Sequence, residues 1–393
     1  MFYGPLSTNE VITISDIEPK IFQLLLNYIY TDKVEIHSIE ESYDLLYVSR
    51  KYMLDYLTEI CISYIKSNIS IDNVISVLNY PDHMQANQLV STALKLFCQH
   101  AEYFLKEYKC QINSTCMQRV LNCNEINILE KDLIKYVFGW TSLYCEQNEI
   151  KNNCQNRRNI LSKSGLMKLL RFFTLTPKEL EEITACKDNL LLTYEKENLK
   201  EAISCKNSVN KNVISNFDNK LSPRKPIKLQ WCLCYRSPIR SESPLIIDLT
   251  KHTLHTKIKA NKSTFINSLS VHSRMAPSIS YCYDVQNIYY EQFTISVMCL
   301  TEKKIIKKID FKNHVEYDSN IDIEFDEPLL IKKDSWYKIS FVWPEPNTFY
   351  SYIYAVQSRD PSYSNGKIRF EFDDFLSISD HGGSFLKGLK FCM

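Results

Sequence analysis

Glycine is scarce in this chain, at 7 of 393 residues, so loops that cradle phosphate with backbone N–H groups have little to be built from. Neither a G-x-x-x-x-G-K-[ST] loop nor a G-x-S-x-G elbow occurs. Net charge is also lacking. The 47 Lys and Arg against 46 Asp and Glu leave a formal +1, with none of the field that draws a protein to nucleic acid or to an anionic membrane. Long apolar runs are missing: the stretch from Ile21 to Ile29 is broken by Gln23 and Asn27, far short of the roughly 20 residues that cross a bilayer. No charged segment followed by an apolar one precedes residue 20, so nothing addresses the chain to the secretory pathway. The 14 cysteines are then expected to be reduced thiols, buried as small hydrophobes in a cytoplasmic protein.

What is present is enough apolar residue, 45%, for two or three domains to bury their own cores. The first half has helical spacing. Pro19 suits a first helical turn before the apolar run Ile21 to Tyr30, and Ser38-x-x-Glu41 has the form of a capping box. Asp55 is placed to cap a helix whose stripe is Leu57, Ile60, Cys61, Tyr64 and Ile65. Ser70 starts another, and Val90, Ala93, Leu94, Phe97, Ala101, Phe104 and Leu105 make the longest stripe, read as part of a helical hairpin. Leu133, Val137, Trp140 and Tyr144 form a further stripe, and Thr176-Pro177-Lys178-Glu179 is a capping box with Pro at its first position.

From Ser204 to Lys228 the chain is rich in Asn, Lys and Ser, a composition expected to form a linker. Beyond it the period changes to two: Phe293, Ile295, Val297, Cys299; Ile321, Ile323, Phe325; Tyr337, Ile339, Phe341, Trp343; Ile368, Phe370, Phe372. Such alternation predicts an antiparallel β-sandwich. The fold class is therefore α+β and multidomain.

Residues that could carry chemistry read more simply as structure. Cys98, Cys110, Cys116 and Cys123 with His83 and His100 lack metal-ligand spacing, and Cys232-Leu233-Cys234 is too tight for an ordinary zinc pair. His381-Gly382-Gly383-Ser384 is read as a turn between strands. Lys303, Lys304, Lys307 and Lys308 flank Ile305 and Ile306 in the manner of a protected edge strand. No catalytic residue, metal or cofactor is expected, and the chain is not read as an enzyme. Aromatics near Pro344 and Pro346 are the better clue. Most should be core, but Trp343, Phe349, Tyr350 and Tyr352 are candidates for contacts with a protein substrate.

These residues together resemble a known arrangement. Met1-Phe2-Tyr3-Gly4-Pro5-Leu6, Ile17-Glu18-Pro19-x-x-Phe22 and Leu45-Leu46-Tyr47-Val48-Ser49-Arg50-Lys51-Tyr52 are similar to the second half of a BTB/POZ domain. Val137-Phe138-Gly139-Trp140, Asn156-Arg157-Arg158 and Thr176 to Leu180 look like the helices of a BACK domain. Asp326-Glu327-Pro328-Leu329 and Trp336-Tyr337-Lys338-Ile339 resemble the closing strands of a PHR sandwich, a jelly roll. The resemblance implies a partial BTB/POZ α/β fold over residues 1–67, an all-α BACK domain over 68–200, a linker over 201–228 and a PHR-like sandwich over 229–393. It further implies a substrate-recognition adaptor of a cullin-3 RING ubiquitin ligase, with a non-ligase scaffold as the alternative. The family's cullin contact is a hydrophobic residue, any residue, then Glu; Leu6-Ser7-Thr8 stands at that position with Thr8 in place of the acid. The strand and helix through which the family dimerises have no counterpart, which puts homodimerisation in doubt.

Overall fold

The structure, a computed structural model, describes residues 13–81, 86–204, 217–250, 252–277, 287–345, 351–374 and 384–392. The chain divides into two compact units, Met1–Lys228 and Leu229–Met393. The first is helical and the second is an antiparallel β-sandwich, so the α+β reading holds.

Local chemistry sets where the helices begin. Helix α1 (Pro19–Thr31) has Pro in its first turn, where no N–H partner is needed, and ends at Asp32 in the left-handed region. Helix α2 (Ile39–Lys51) starts at Ser38, whose hydroxyl accepts from the Glu41 N–H at 3.1 Å. The Glu41 carboxylate reaches past the cap to the His37 N–H at 2.7 Å and also takes Lys20 at 2.7 Å, tying α1 to α2. Helix α3 (Asp55–Asn68) is preceded by Leu54, with no side-chain cap bond; Asp55, expected as the cap, lies one residue inside, in the first turn. There it still favours the helix through the dipole.

The stripe from Val90 to Leu105 is broken, not continuous. After α4 (Val74–Asn79), α5 (Asn87–Gln99) stops at His100, whose ψ of 33° is not helical, and α6 (Ala101–Glu107) begins anew. Helices α7 (Ser114–Asn122), α8 (Glu130–Gln147), α9 (Cys154–Lys163), α10 (Pro177–Ala185) and α11 (Thr193–Ser204) follow. Trp140 of α8 is buried and donates to the Ile112 carbonyl at 2.7 Å. Helix α10 carries the complete capping box read from Thr176 and Glu179. Among the described residues, no helix is long and apolar enough to cross a membrane.

The segment expected to be a linker departs from that reading in its second part. Residues 205–216 lie outside the described residues, but 217–228 pack onto the helices. Phe217 is buried against Phe172, ring centroids 4.7 Å apart, and Asp218 pairs with Arg171 at 3.3 Å. Arg224 is buried with Glu130, Nη1 to Oε2 2.6 Å, and donates to the carbonyls of Leu121, Cys123 and Leu169. Asn127 grips the Ile227 backbone in both directions. This strap has no apolar period of its own, so composition hides it; its order comes from buried charge pairing and backbone hydrogen bonds.

In the second unit the strands are β1 (Cys232–Tyr235), β2 (Pro238–Ile247), β3 (Thr253–Ala260), β4 (Thr264–His272), β5 (Ile288–Cys299), β6 (Lys304–Glu316), β7 (Asn320–Ile331), β8 (Trp336–Val342), β9 (Tyr352–Ser358), β10 (Ser362–Ser364), β11 (Arg369–Asp374) and β12 (Leu386–Cys392). They form a four-stranded sheet in the order β1-β12-β4-β7, a six-stranded sheet in the order β10-β11-β3-β8-β5-β6, and the pair β2-β9. The alternating residues read from the sequence, Phe293 to Cys299, Ile321 to Phe325, Tyr337 to Trp343 and Ile368 to Phe372, all point into one core. Strand β6, with its lysines, is at the sheet edge as expected, pairing with β5 on one side.

Candidate protein-interaction surfaces

In the helical unit the buried stripe of α1 is Ile21, Leu25 and Tyr28, which leaves Ile29 and Tyr30 turned outward. The turn from α2 into α3 does the same for Tyr52, Met53 and Tyr56. It is held by Met53 N–H to the Arg50 carbonyl at 3.1 Å and Leu54 N–H to the Ser49 carbonyl at 2.8 Å, with Met53 at a φ of 55°. Tyr30 and Met53 are each 84% exposed and Tyr56 66%. Burial first, then the Asp32 carboxylate and the Tyr56 hydroxyl, raise the pKa of Tyr28 in the last turn of α1. Asp16 is fastened to α2 by Lys51 at 2.6 Å and by the Tyr47 hydroxyl at 2.7 Å. Large apolar and aromatic side chains standing in water on rigid helices are the composition of a protein interface, not of a catalytic centre.

Residues 1–69 match the model of the BTB/POZ domain. The exposed Ile29, Tyr30, Tyr52, Met53 and Tyr56 all belong to this BTB/POZ-matching segment. The chain is 26% identical over 194 residues to BTB/POZ domain-containing protein 6-A of Danio rerio, covering 49% of this chain and 35% of the relative. It is 26% identical over 194 residues to BTB/POZ domain-containing protein 6 of Xenopus tropicalis, covering 49% and 36%. With BTB/POZ domain-containing protein 3 of Homo sapiens it shares 25% identity over 166 residues, covering 42% and 32%. The chain thus spans about a third of the length of the curated relatives it matches. Leu6 and Thr8, the expected cullin contacts in this segment, lie outside the described residues.

The sandwich places its four candidate residues unequally. Trp343 is 1% exposed, which removes it from any contact surface. The period of two that buries Tyr337, Ile339 and Phe341 carries on through it, and its Nε1 donates to the Tyr354 hydroxyl at 3.0 Å. Tyr352 is half-buried with the Arg274 guanidinium 3.6 Å over its ring. Phe349 and Tyr350 lie outside the described residues.

Trp343 and Tyr352 lead into a network that the sequence reading missed. The fully buried Glu291 accepts from Tyr354 at 2.8 Å and Tyr289 at 2.9 Å on one oxygen, and pairs with Arg274 at 2.6 Å through the other. Burial works to lower the Arg274 pKa, but the Glu291 carboxylate overrides it and the net shift is upward. Burial, then Glu291, raises Tyr354 and Tyr289. A carboxylate satisfied by three side chains and by the Gln292 N–H is a structural clasp. Its signal was available: Glu291 occupies an inward position of β5, two residues before Phe293, where an apolar residue is expected.

The described cysteines of the helical unit are free thiols, and His83 lies outside the described residues. Burial pushes Cys116 and Cys61 up to about 12. Cys123 moves down, because the Cys98 thiol hydrogen-bonds to it and, after the opposing effect of burial, Arg224 lies close by. Among the described residues no group of three or more His, Cys, Asp or Glu could hold a metal ion.

Proposed function

We propose that this chain is a protein–protein interaction adaptor that holds cullin-3 through its BTB/POZ-matching helices and presents a protein substrate through its sandwich. The observation that supports this reading is the exposure of Tyr30, Met53 and Tyr56 on the segment that matches the BTB/POZ domain. Residues 68–200 act in this reading as a BACK-like spacer and residues 229–393 as a PHR-like substrate module. The chain performs no bond chemistry; it raises the effective concentration of a substrate beside a ubiquitin-charged enzyme.

Calorimetric titration of the chain with the cullin-3 amino-terminal region tests the proposal. Met53→Asp combined with Tyr56→Ala should weaken binding at least about tenfold, the loss expected for interface hot spots. Leu6→Asp should abolish it and Thr8→Glu should strengthen it. A second reading, a scaffold without ligase function, is favoured by Thr8 standing where the family's cullin contact has Glu. Failure of both the chain and its Thr8→Glu variant to bind would decide for that scaffold.

A further inference from the structure

The outer face of the four-stranded sheet carries a groove that neither the exposed helical residues nor the Glu291 network uses. The strand register builds it from two rows across the sheet. One row is Tyr235 on β1, Gly388 on β12, Ser270 on β4 and Asp322 on β7; the next is Leu233, Lys390, Ser268 and Glu324 on the same strands. Apart from Lys390, the middle strands carry small residues here and the two outer strands large or charged ones, leaving a cavity of about 310 Å³ with Trp231 at its aromatic side. Gly388 is necessary to this shape. A Cβ there would run into the Cys234 carbonyl and lie 2.8 Å from the Tyr235 ring.

The two walls differ in chemistry. On the β1 side Leu233 and Tyr235 are 49% and 44% exposed. On the β7 side Asp322 and Glu324 project outward, and Asp326 continues the alternation. Lys390 neutralises Glu324 at 3.2 Å, whereas among the described residues Asp322 and Asp326 have no ion-pair partner. Lys387 lies 4.8 Å from the Tyr235 ring centroid, so one face of that ring already receives a cation. On the floor, Ser270 is 4% exposed and its hydroxyl has no hydrogen-bond partner among the described residues. A buried, unpartnered hydroxyl is costly to keep in an empty groove.

The geometry points to a binding groove for an arginine side chain presented by an extended peptide segment of a partner protein. A planar guanidinium can lie against Tyr235 or Trp231, bond Asp322 with two N–H groups and give a third to Ser270 Oγ. An ammonium matches the charge but offers neither the flat stacking surface nor the fork. This inference deepens the adaptor reading and rests on its assignment of substrate capture to the sandwich. Its test contains no cullin, so the two can fail separately.

The full chain is titrated by calorimetry with a blocked Gly-Gly-Arg-Gly-Gly peptide, its citrulline counterpart, which keeps the shape and loses the charge, and its lysine counterpart. The arginine peptide should bind at least about tenfold more tightly than either. Asp322→Asn should erase the preference for arginine over citrulline, and Tyr235→Ala should weaken all binding, in variants whose circular dichroism is unchanged. Ser270→Ala gives a second readout: it should weaken arginine binding several-fold while raising the melting temperature of the peptide-free protein by about 1–3 °C, because an unsatisfied hydroxyl is removed. Equal affinity for arginine and citrulline, arginine binding indifferent to Asp322→Asn, or a lowered melting temperature in Ser270→Ala would overturn the proposal. Equal binding of the lysine peptide would overturn the choice of guanidinium.

Discussion

Arg224 and Glu130 are 1% and 7% exposed at their side chains, and each is the other's ionic partner. Removing one leaves the other charged and buried, so Arg224→Ala should destabilise the helical unit by about 3–5 kcal/mol in urea unfolding. Replacing both with well-packed apolar residues should cost much less, which separates the value of the pair from the penalty of breaking it. Two buried histidines give a pH dependence of known sign. Burial lowers His100 in the helical unit to about 4; burial and then Lys387 lower His272 in the sandwich to about 4, with the Arg236 guanidinium adding to this and an Asn320 hydrogen bond opposing it. Below about pH 6.5 the unfolded chain takes up protons that the folded chain refuses, so stability falls between about 6.5 and about 4. The loss approaches about 3 kcal/mol for each histidine at the lower end, measured as urea midpoints against pH; His272→Gln should flatten the curve of the sandwich transition alone. None of this was visible in the sequence, where Arg224 sits among Asn, Lys and Ser and both histidines carry no spacing signal. Burial of an isolated charge depends on where distant carbonyls are placed, and periodicity carries no such information.

The helices and strands were far more legible, wherever a rule of local chemistry applied. Thr176 and Pro177 foretold α10 because a cap and a fixed φ act within one turn, and Thr176→Ala should cost about 0.5–2 kcal/mol. Alternation foretold the core faces of β5, β7, β8 and β11 because a strand with one buried face has no other way to place its apolar residues. Helix α4 was legible from Ser70 and the residues of α6 were read as helical, but the break at His100 that separates α6 from α5 escaped because the apolar stripe runs through it undisturbed. The lysines of β6 were legible as edge protection. Replacing the exposed Lys304 and Lys308 with Val should promote pairing between molecules, seen as concentration-dependent mass in light scattering. The candidate site was legible only in part: alternation that correctly buried Phe341 also buries Trp343, and a buried stripe says nothing of Tyr30 on the outer face of α1 or of Met53 in the turn between α2 and α3.

At the scale of the whole chain, the boundary between units is at Lys228, and the strap before it belongs to the helices. A fragment ending at Ser204 should therefore be less stable than one ending at Lys228 by several kcal/mol, since it leaves Glu130 without Arg224; urea unfolding of the two fragments checks this. The same strap has a consequence for how the molecule is made. Glu130 leaves the ribosome well ahead of Arg224, which follows it by 94 residues, a wait of about 5–20 s at ordinary rates of synthesis. During that interval, closing the helices over Glu130 would bury its carboxylate without the Arg224 guanidinium, which is expected to cost several kcal/mol. The pair can form only once Arg224 has emerged, shortly before the first sandwich strand at Cys232. The helical unit therefore has all of its buried ion pair just as the alternating strands begin to appear, and the two cores are expected to assemble one after the other instead of in competition.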